Sequence, residues 1–156
     1  MGLEPFIKDE LIILNLNVAD QDQLFEALYQ EALNHGYVTE PFLQKLKERE
    51  SVFPTGLSMG NYSVAIPHTD PEYVVKQFIA VATLENPVSF HLMEDKSKQT
   101  GVNVVLMLGL NEPHSQLSAL QEIMGLIQDQ SKIEQILAAK TSEDVYEIFR
   151  KVETNN

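Results

Sequence analysis

Apolar positions along the chain fall into a mixed start, a strand-rich middle and a helical end. The run Leu11-Ile12-Ile13-Leu14-Asn15-Leu16 is too short for a helix of ordinary length and reads as a strand. Asp20 follows with Gln23 three residues on, the spacing of a capping box. Leu24, Leu28 and Ala32, with Phe25 and Tyr29 alongside, form an apolar stripe at helical spacing. Gly36, after His35, predicts the stop, because glycine takes the left-handed conformation cheaply. Thr39 is placed to cap a second helix with Pro41 in its first turn. Leu43 and Leu46 then face the core, Arg49 falls on the side of Leu46, and the helix ends near Glu50.

Pro54, Gly56 and Gly60 predict a loop from Ser51 to Asn61, long enough to be a working loop rather than a minimal connection. Val64-Ala65-Ile66 is a short strand stopped by Pro67, which has no N–H to donate. Phe78 to Leu84 and Val102 to Leu108 read as buried central strands. Between them Val88-Ser89-Phe90 suggests a short edge, and Glu94 to Gly101 a polar turn region. After Pro113, Leu117, Leu120, Ile123, Met124 and Ile127 mark a long amphipathic helix. Ile133, Ile136 and Leu137 mark a shorter one. The last helix is capped by Ser142 and carries Val145, Ile148, Phe149 and Val152, with a frayed tail from Glu153 to Asn156. Strands between helices predict a single α/β domain, a central mixed β-sheet flanked by α-helices.

Composition narrows the classes. A 156-residue chain that is 44% hydrophobic and 22% charged can bury a core as one domain. No apolar run approaches the ~20 residues that cross a bilayer, and the start lacks the basic and apolar parts of a signal peptide. A cytoplasmic address is expected. The absence of cysteine removes disulfides, thiolate metal sites and cysteine nucleophiles. A net charge of -12 argues against a grip on nucleic acid or on anionic membranes. Any phosphate-handling site must therefore concentrate its few cations locally.

The chain carries no G-x-x-x-x-G-K-[ST] loop and no G-x-G-x-x-G after a strand. No apparatus for ATP or NAD is visible, and no cofactor is called for. Of the four histidines, His68 has the most telling setting. It follows an apolar strand through Pro67, where an α/β sheet gives way to a crevice and the backbone is stiff. A neutral imidazole, with a reference pKa of ~6.5, can take a phosphoryl group covalently and release it. The bland alternative is a strand-end histidine that only finishes the sheet. His114, at the start of the long helix, is disfavoured as an imidazolium by the positive dipole end. Neutral, it could donate a hydrogen bond to a phosphoryl oxygen; otherwise it is a solvated helix-start residue. Arg49 at a helix end is explained by the dipole alone, or more sharply by neutralising charge on a transferring group. His35 reads as a helix terminus and His91 as a strand residue. A metal site would recruit His68, Asp70 and His114, perhaps with His91, but no HExxH pattern supports it.

Together these residues resemble the fructose/mannitol superfamily of enzyme IIA components of the bacterial sugar phosphotransferase system. Arg49-Glu50 looks like that family's Arg-Glu pair, and Ala65-Ile66-Pro67-His68 resembles its active-site strand. His114, with Leu117 and Leu120 behind it, is similar to its second histidine segment. The likeness runs from about Leu11 to Val152, within one type-2 IIA domain over residues 1–156. Phe53-Pro54-Thr55-Gly56-Leu57 followed by Ile66-Pro67-His68-Thr69 looks most like the galactitol type, although Ser58 to Tyr62 lengthens the loop relative to other branches.

The resemblance implies a relay. Phosphorylated HPr would donate to His68, at Nε2, and the phosphohistidine would pass its group to a cysteine of a IIB component. With no cysteine here, that acceptor lies on another polypeptide, and the IIC membrane transporter is an indirect partner. Docking implies an apolar rim near His68, for which Leu57, Met59 and Tyr62 are the candidates. Two other readings stand beside this one: a nitrogen-type regulatory IIA module, and an unrelated metal-dependent hydrolase.

Overall fold

The computed structural model describes the backbone of residues 2–154 and the side chains of residues 2–150. Five strands form one sheet in the order β1-β4-β5-β3-β2. They are β1 (Ile7–Leu16), β2 (Gly56–Ser58), β3 (Ser63–Ala65), β4 (Phe78–His91) and β5 (Gln99–Gly109). The β1/β4 and β3/β5 pairs are parallel, whereas β4/β5 and β2/β3 are antiparallel. Five helices cover the sheet: α1 (Gln21–Asn34), α2 (Phe42–Val52), α3 (Pro113–Ile127), α4 (Gln130–Ala138) and α5 (Ser142–Thr154). The expected α/β class, with a mixed sheet between helices, is the fold observed.

Side-chain alternation along the strands builds two cores. On β5, Val104, Leu106 and Leu108 point to the face covered by α3, α4 and α5. Val105 and Met107 point to the face covered by α1 and α2, where they meet Leu24, Phe25, Leu28, Phe42 and Leu46. Because both faces are covered, β5 reads as a continuous apolar run. Gly109, the last residue of β5, lies opposite Phe78. A Cβ there would sit 2.0 Å from Phe78 Cε1, so only glycine admits the ring.

Caps follow local chemistry in most places. Asp20 Oδ1 accepts from Gln23 N at 2.9 Å, and Gln23 Oε1 accepts from Ala19 N at 2.9 Å, so the box closes one residue earlier than its simplest form. Gly36, at φ 78°, ends α1 as expected. Thr39, however, does not cap α2 through its side chain. Its hydroxyl donates to the Tyr73 carbonyl at 3.4 Å, and α2 begins after Pro41 without a side-chain cap. For α5 the capping side chain is Thr141, whose Oγ1 accepts from Asp144 N at 3.1 Å. Ser142 instead hydrogen-bonds Asp9 through its hydroxyl.

Several other expectations change once tertiary pairing is present. The first strand begins at Ile7 rather than Leu11, and Leu3, Phe6 and Ile7 are buried in the core. Helix α2 continues to Val52. The expected Ser51–Asn61 loop contains β2, a strand too short for any periodicity to reveal. Val88 to Phe90 is no separate edge but the far half of β4, held by β5 across a register shift between Thr83 and Val88. Leu117 is 63% exposed, whereas Leu126, outside the expected stripe, is buried. The side chain of Val152 and the tail residues Asn155 and Asn156 lie outside the described residues. Among the described residues, no helix is long and apolar enough to cross a membrane.

Candidate functional site

His68 is set at the sheet's edge by backbone bonds. Leu108 N donates to the Pro67 carbonyl at 3.0 Å, and His68 bridges Leu108 of β5 in parallel sense. Proline cannot donate to the ladder, and pairing with β5 ends at the single His68–Leu108 bridge. His68 Nδ1 lies 2.8 Å from the Ile66 carbonyl oxygen, which can only accept, so Nδ1 carries the proton. Nε2 is left with a lone pair. Burial pushes the imidazole pKa below 6.5; the bond to Ile66 opposes that shift, and the Arg49 guanidinium adds to it. The lowered pKa favours the neutral ring at neutral pH, with its lone pair at Nε2.

A cleft of about 260 Å³ opens over this ring. Arg49, Asp70 and Gln116 supply its polar walls, and Pro71, Leu108, Leu110 and Leu120 its apolar ones. Arg49 comes from the last turn of α2, where the helix dipole favours a cation. Its Nη1 is 3.9 Å from Asp70 Oδ1, and its guanidinium lies over the Phe53 ring at 4.8 Å. Arg49 Nε is buried with no hydrogen-bond partner among the described residues. Gln116 Nε2 donates to the Leu110 carbonyl at 2.8 Å, tying α3 to the end of β5.

Glu50, next to Arg49, is only 5% exposed. Its Oε2 accepts from Thr55 N at 2.7 Å and its Oε1 from Thr55 Oγ1 at 2.8 Å. Burial pushes its pKa up, while the two bonds from Thr55 pull it back. Thr55 in turn accepts from Ile66 N through its carbonyl at 3.4 Å. Hydrogen bonds therefore link the end of α2 through Thr55 to the N–H of Ile66, the residue whose carbonyl meets His68 Nδ1.

Of the residues singled out from sequence, His68 and Arg49 share the cleft. His114 lies in the first turn of α3 with an exposed side chain and is not among the cleft-lining residues; Gln116, from the same turn, is. The expected rim of Leu57, Met59 and Tyr62 does not form. Tyr62 is buried and donates its hydroxyl to the Ile127 carbonyl, while Leu57 and Met59 pack against the core. The exposed apolar side chains on the elements around the cleft are Val52 and Phe53 at the end of α2 and Leu117 on α3. His91 lies elsewhere, with Glu50 and Lys96 in a separate hollow. Among the described residues no three His, Asp or Glu side chains are grouped as metal ligands. Asp70, considered from sequence only as a metal ligand beside His68, lines this cleft with Arg49, and Gln116, which sequence reasoning missed, reaches it because α3 packs beside the end of β5.

A neutral imidazole with one free nitrogen, beside a guanidinium with an unused donor, suits a small anionic electrophile such as a phosphoryl group. Fold and cleft together define a small α/β domain equipped for group transfer. Residues 5–152 match the family described as phosphoenolpyruvate-dependent sugar phosphotransferase system, EIIA 2, and the chain belongs to that family. It is thereby a phosphotransferase component of sugar or polyol transport. A mannitol-specific enzyme IIA component of Bacillus subtilis is 30% identical, with 92% of this chain and 95% of that protein covered. The galactitol-specific EIIA component of Escherichia coli K12 is 26% identical over 78% of this chain and 81% of that protein. Two solved structures share the fold. One is the IIA mannitol domain of Escherichia coli in complex with phosphorylated IIB, with a TM-score of 0.74 at 21% identity, covering 93% of this chain and 97% of that one. The other is nitrogen regulatory protein IIA-Ntr of Neisseria meningitidis, with a TM-score of 0.75 at 22% identity, covering 94% and 97%.

Proposed function

We propose that this chain is a phosphoryl carrier in which His68 takes a phosphoryl group from phosphorylated HPr and gives it to a cysteine of a IIB component. The observation that carries the reading is the Nδ1 contact to the Ile66 carbonyl, which leaves Nε2 free in the Arg49 cleft. In the first step the Nε2 lone pair attacks phosphorus, and the bond from phosphorus to the donor's imidazole nitrogen breaks. The donor nitrogen keeps that electron pair, and the proton stays on His68 Nδ1, hydrogen-bonded to the Ile66 carbonyl. In the second step a thiolate attacks phosphorus, the Nε2–P bond breaks, and its pair returns to Nε2. No energy source is needed beyond the donor, only positioning and charge stabilisation.

Arg49 would neutralise the developing charge, its unpartnered Nε being a donor in reserve. His114, exposed on the first turn of α3, would donate to a phosphoryl oxygen at the outer end of the site. The partner surface would be the exposed Phe53, Val52 and Leu117 around the cleft. We place the chain in the cytoplasm, with the IIC transporter downstream of IIB. Galactitol is the cargo suggested by the residues around His68, and the mannitol relative extends that class to polyols generally. The regulatory alternative is favoured by the likeness to a IIA-Ntr fold. The two sequence relatives named above are mannitol- and galactitol-specific components, which supports the transport reading instead.

Incubation with phosphorylated HPr, followed by mass spectrometry, tests the assignment. The label is expected on His68 and absent from His68→Ala with the fold intact; label that persists in that variant would refute it. Arg49→Ala and His114→Ala are expected to slow transfer by roughly 2–4 kcal/mol in barrier without stopping it. Unchanged rates in either variant remove that residue from the site.

A further inference from the structure

We propose that Asp70 is a displaceable counter-ion of Arg49 that raises the phosphoryl-transfer potential of His68. The inference rests on the reading of His68 as the phosphoryl carrier and asks what else in the cleft acts on that group.

Asp70 and His68 are two residues apart and line the same cleft with Arg49. The Asp70 carboxylate has one described partner, the Arg49 guanidinium, at 3.9 Å, a distance beyond a hydrogen bond. It has no local task that would hold it there. The short 3-10 turn over Pro71–Tyr73 begins after Asp70 without a side-chain cap, using the Asp70 carbonyl to accept from Tyr73 N at 3.3 Å. Arg49 for its part has a buried Nε with no acceptor. The guanidinium is therefore half-engaged: one loose carboxylate at Nη1, a ring over its face and a free donor at Nε.

A phosphoryl group on Nε2 brings close to two negative charges and three strong acceptors into this cleft. It meets the guanidinium that Asp70 holds, and it repels the Asp70 carboxylate. Arg49 favours the phosphorylated form; Asp70 opposes it, both by competing for the cation and by direct repulsion. On a chain of net charge -12 no other cation lines the cleft among the described residues. A carrier that must receive and then give away its group gains from such an opposed pair, because neither direction of transfer becomes trapped. Asp70 takes no part in bond making; it acts on the phosphoryl group through its charge, on Arg49 and on the group itself.

The test is an equilibrium measurement. Wild type, Asp70→Asn and Asp70→Ser are each incubated with a fixed ratio of phosphorylated to free HPr, and the phosphohistidine fraction is read by intact mass and phosphorus NMR. At low salt both variants should shift the equilibrium towards phosphorylated His68 by roughly threefold or more, and the shift should shrink as salt screens the exposed carboxylate. A purely structural role for Asp70 would not produce a shift that salt abolishes. Two variants whose equilibrium constants match wild type at low salt, or fall below it, would overturn the counter-ion while leaving the carrier reading intact. Absence of label on His68 in the wild type would overturn both.

Discussion

Burial and a single carbonyl set the chemical state of His68. The carbonyl of Ile66 fixes which nitrogen carries the proton, and desolvation keeps the ring from taking a second one. An unfolded imidazole binds its proton at about 6.5, whereas the folded ring binds it only at lower pH. Between those values the unfolded chain holds more protons, so His68 lowers stability as pH falls through that interval. Its contribution is fully present above the unfolded value. Titration of the His68 ring by NMR is expected to give a midpoint below ~6.5. Chemical denaturation should show less loss of stability on acidification in His68→Gln than in wild type. A ring midpoint at or above the free value would contradict the description of the site as desolvated.

At the level of elements, the site depends on how β4 and β5 end. Phe78 opens β4 and packs its ring where Gly109 closes β5, and the strand end beside it carries Leu108, the partner of His68. Gly109→Ala places a methyl group 2.0 Å from Phe78 Cε1. We expect it to cost about 1–3 kcal/mol in urea denaturation, as overpacked cores do. Phe78→Leu in the same chain should recover part of that loss. A Gly109→Ala protein as stable as wild type would mean that the ring has room elsewhere. Asn15 shows a related accommodation on β1. It takes φ 54° while its N–H donates to Thr83 Oγ1 at 2.8 Å. The resulting bulge lets Leu14 face one core and Leu16 the other.

For the whole molecule, the sheet separates two apolar cores that share strands but not helices. Leu46 of α2 lies in one and Phe149 of α5 in the other, each fully buried. Leu46→Ala should cost about 2–5 kcal/mol and Phe149→Ala about 3–5 kcal/mol. Because they touch no common partner cluster, the double variant should equal their sum within roughly 0.5 kcal/mol. Strong non-additivity in thermal or urea unfolding would show that the sheet transmits strain between its faces. The same layout explains the location of the cleft. It lies where β5 and the segment after β3 end, with α2 and α3 reaching in from opposite faces.

Local chemistry in the chain was enough for part of this. The stripe of Leu24, Leu28 and Ala32, the Asp20 cap, the stop at Gly36 and the unbroken apolar runs of β4 and β5 each follow from near-neighbour periodicity and capping. So does the stiff Pro67 ahead of His68, since proline's ring fixes φ within its own residue. Pairing between distant segments decided the rest. The strand β2 exists because β3 is beside it, and Val88 to Phe90 belongs to β4 because β5 runs opposite. Thr39 spends its hydroxyl on Tyr73, a residue brought near only by folding. Asp70 and Gln116 enter the cleft for the same reason. A side chain's partner across the fold is set by packing of whole elements, and no short window of sequence contains that information.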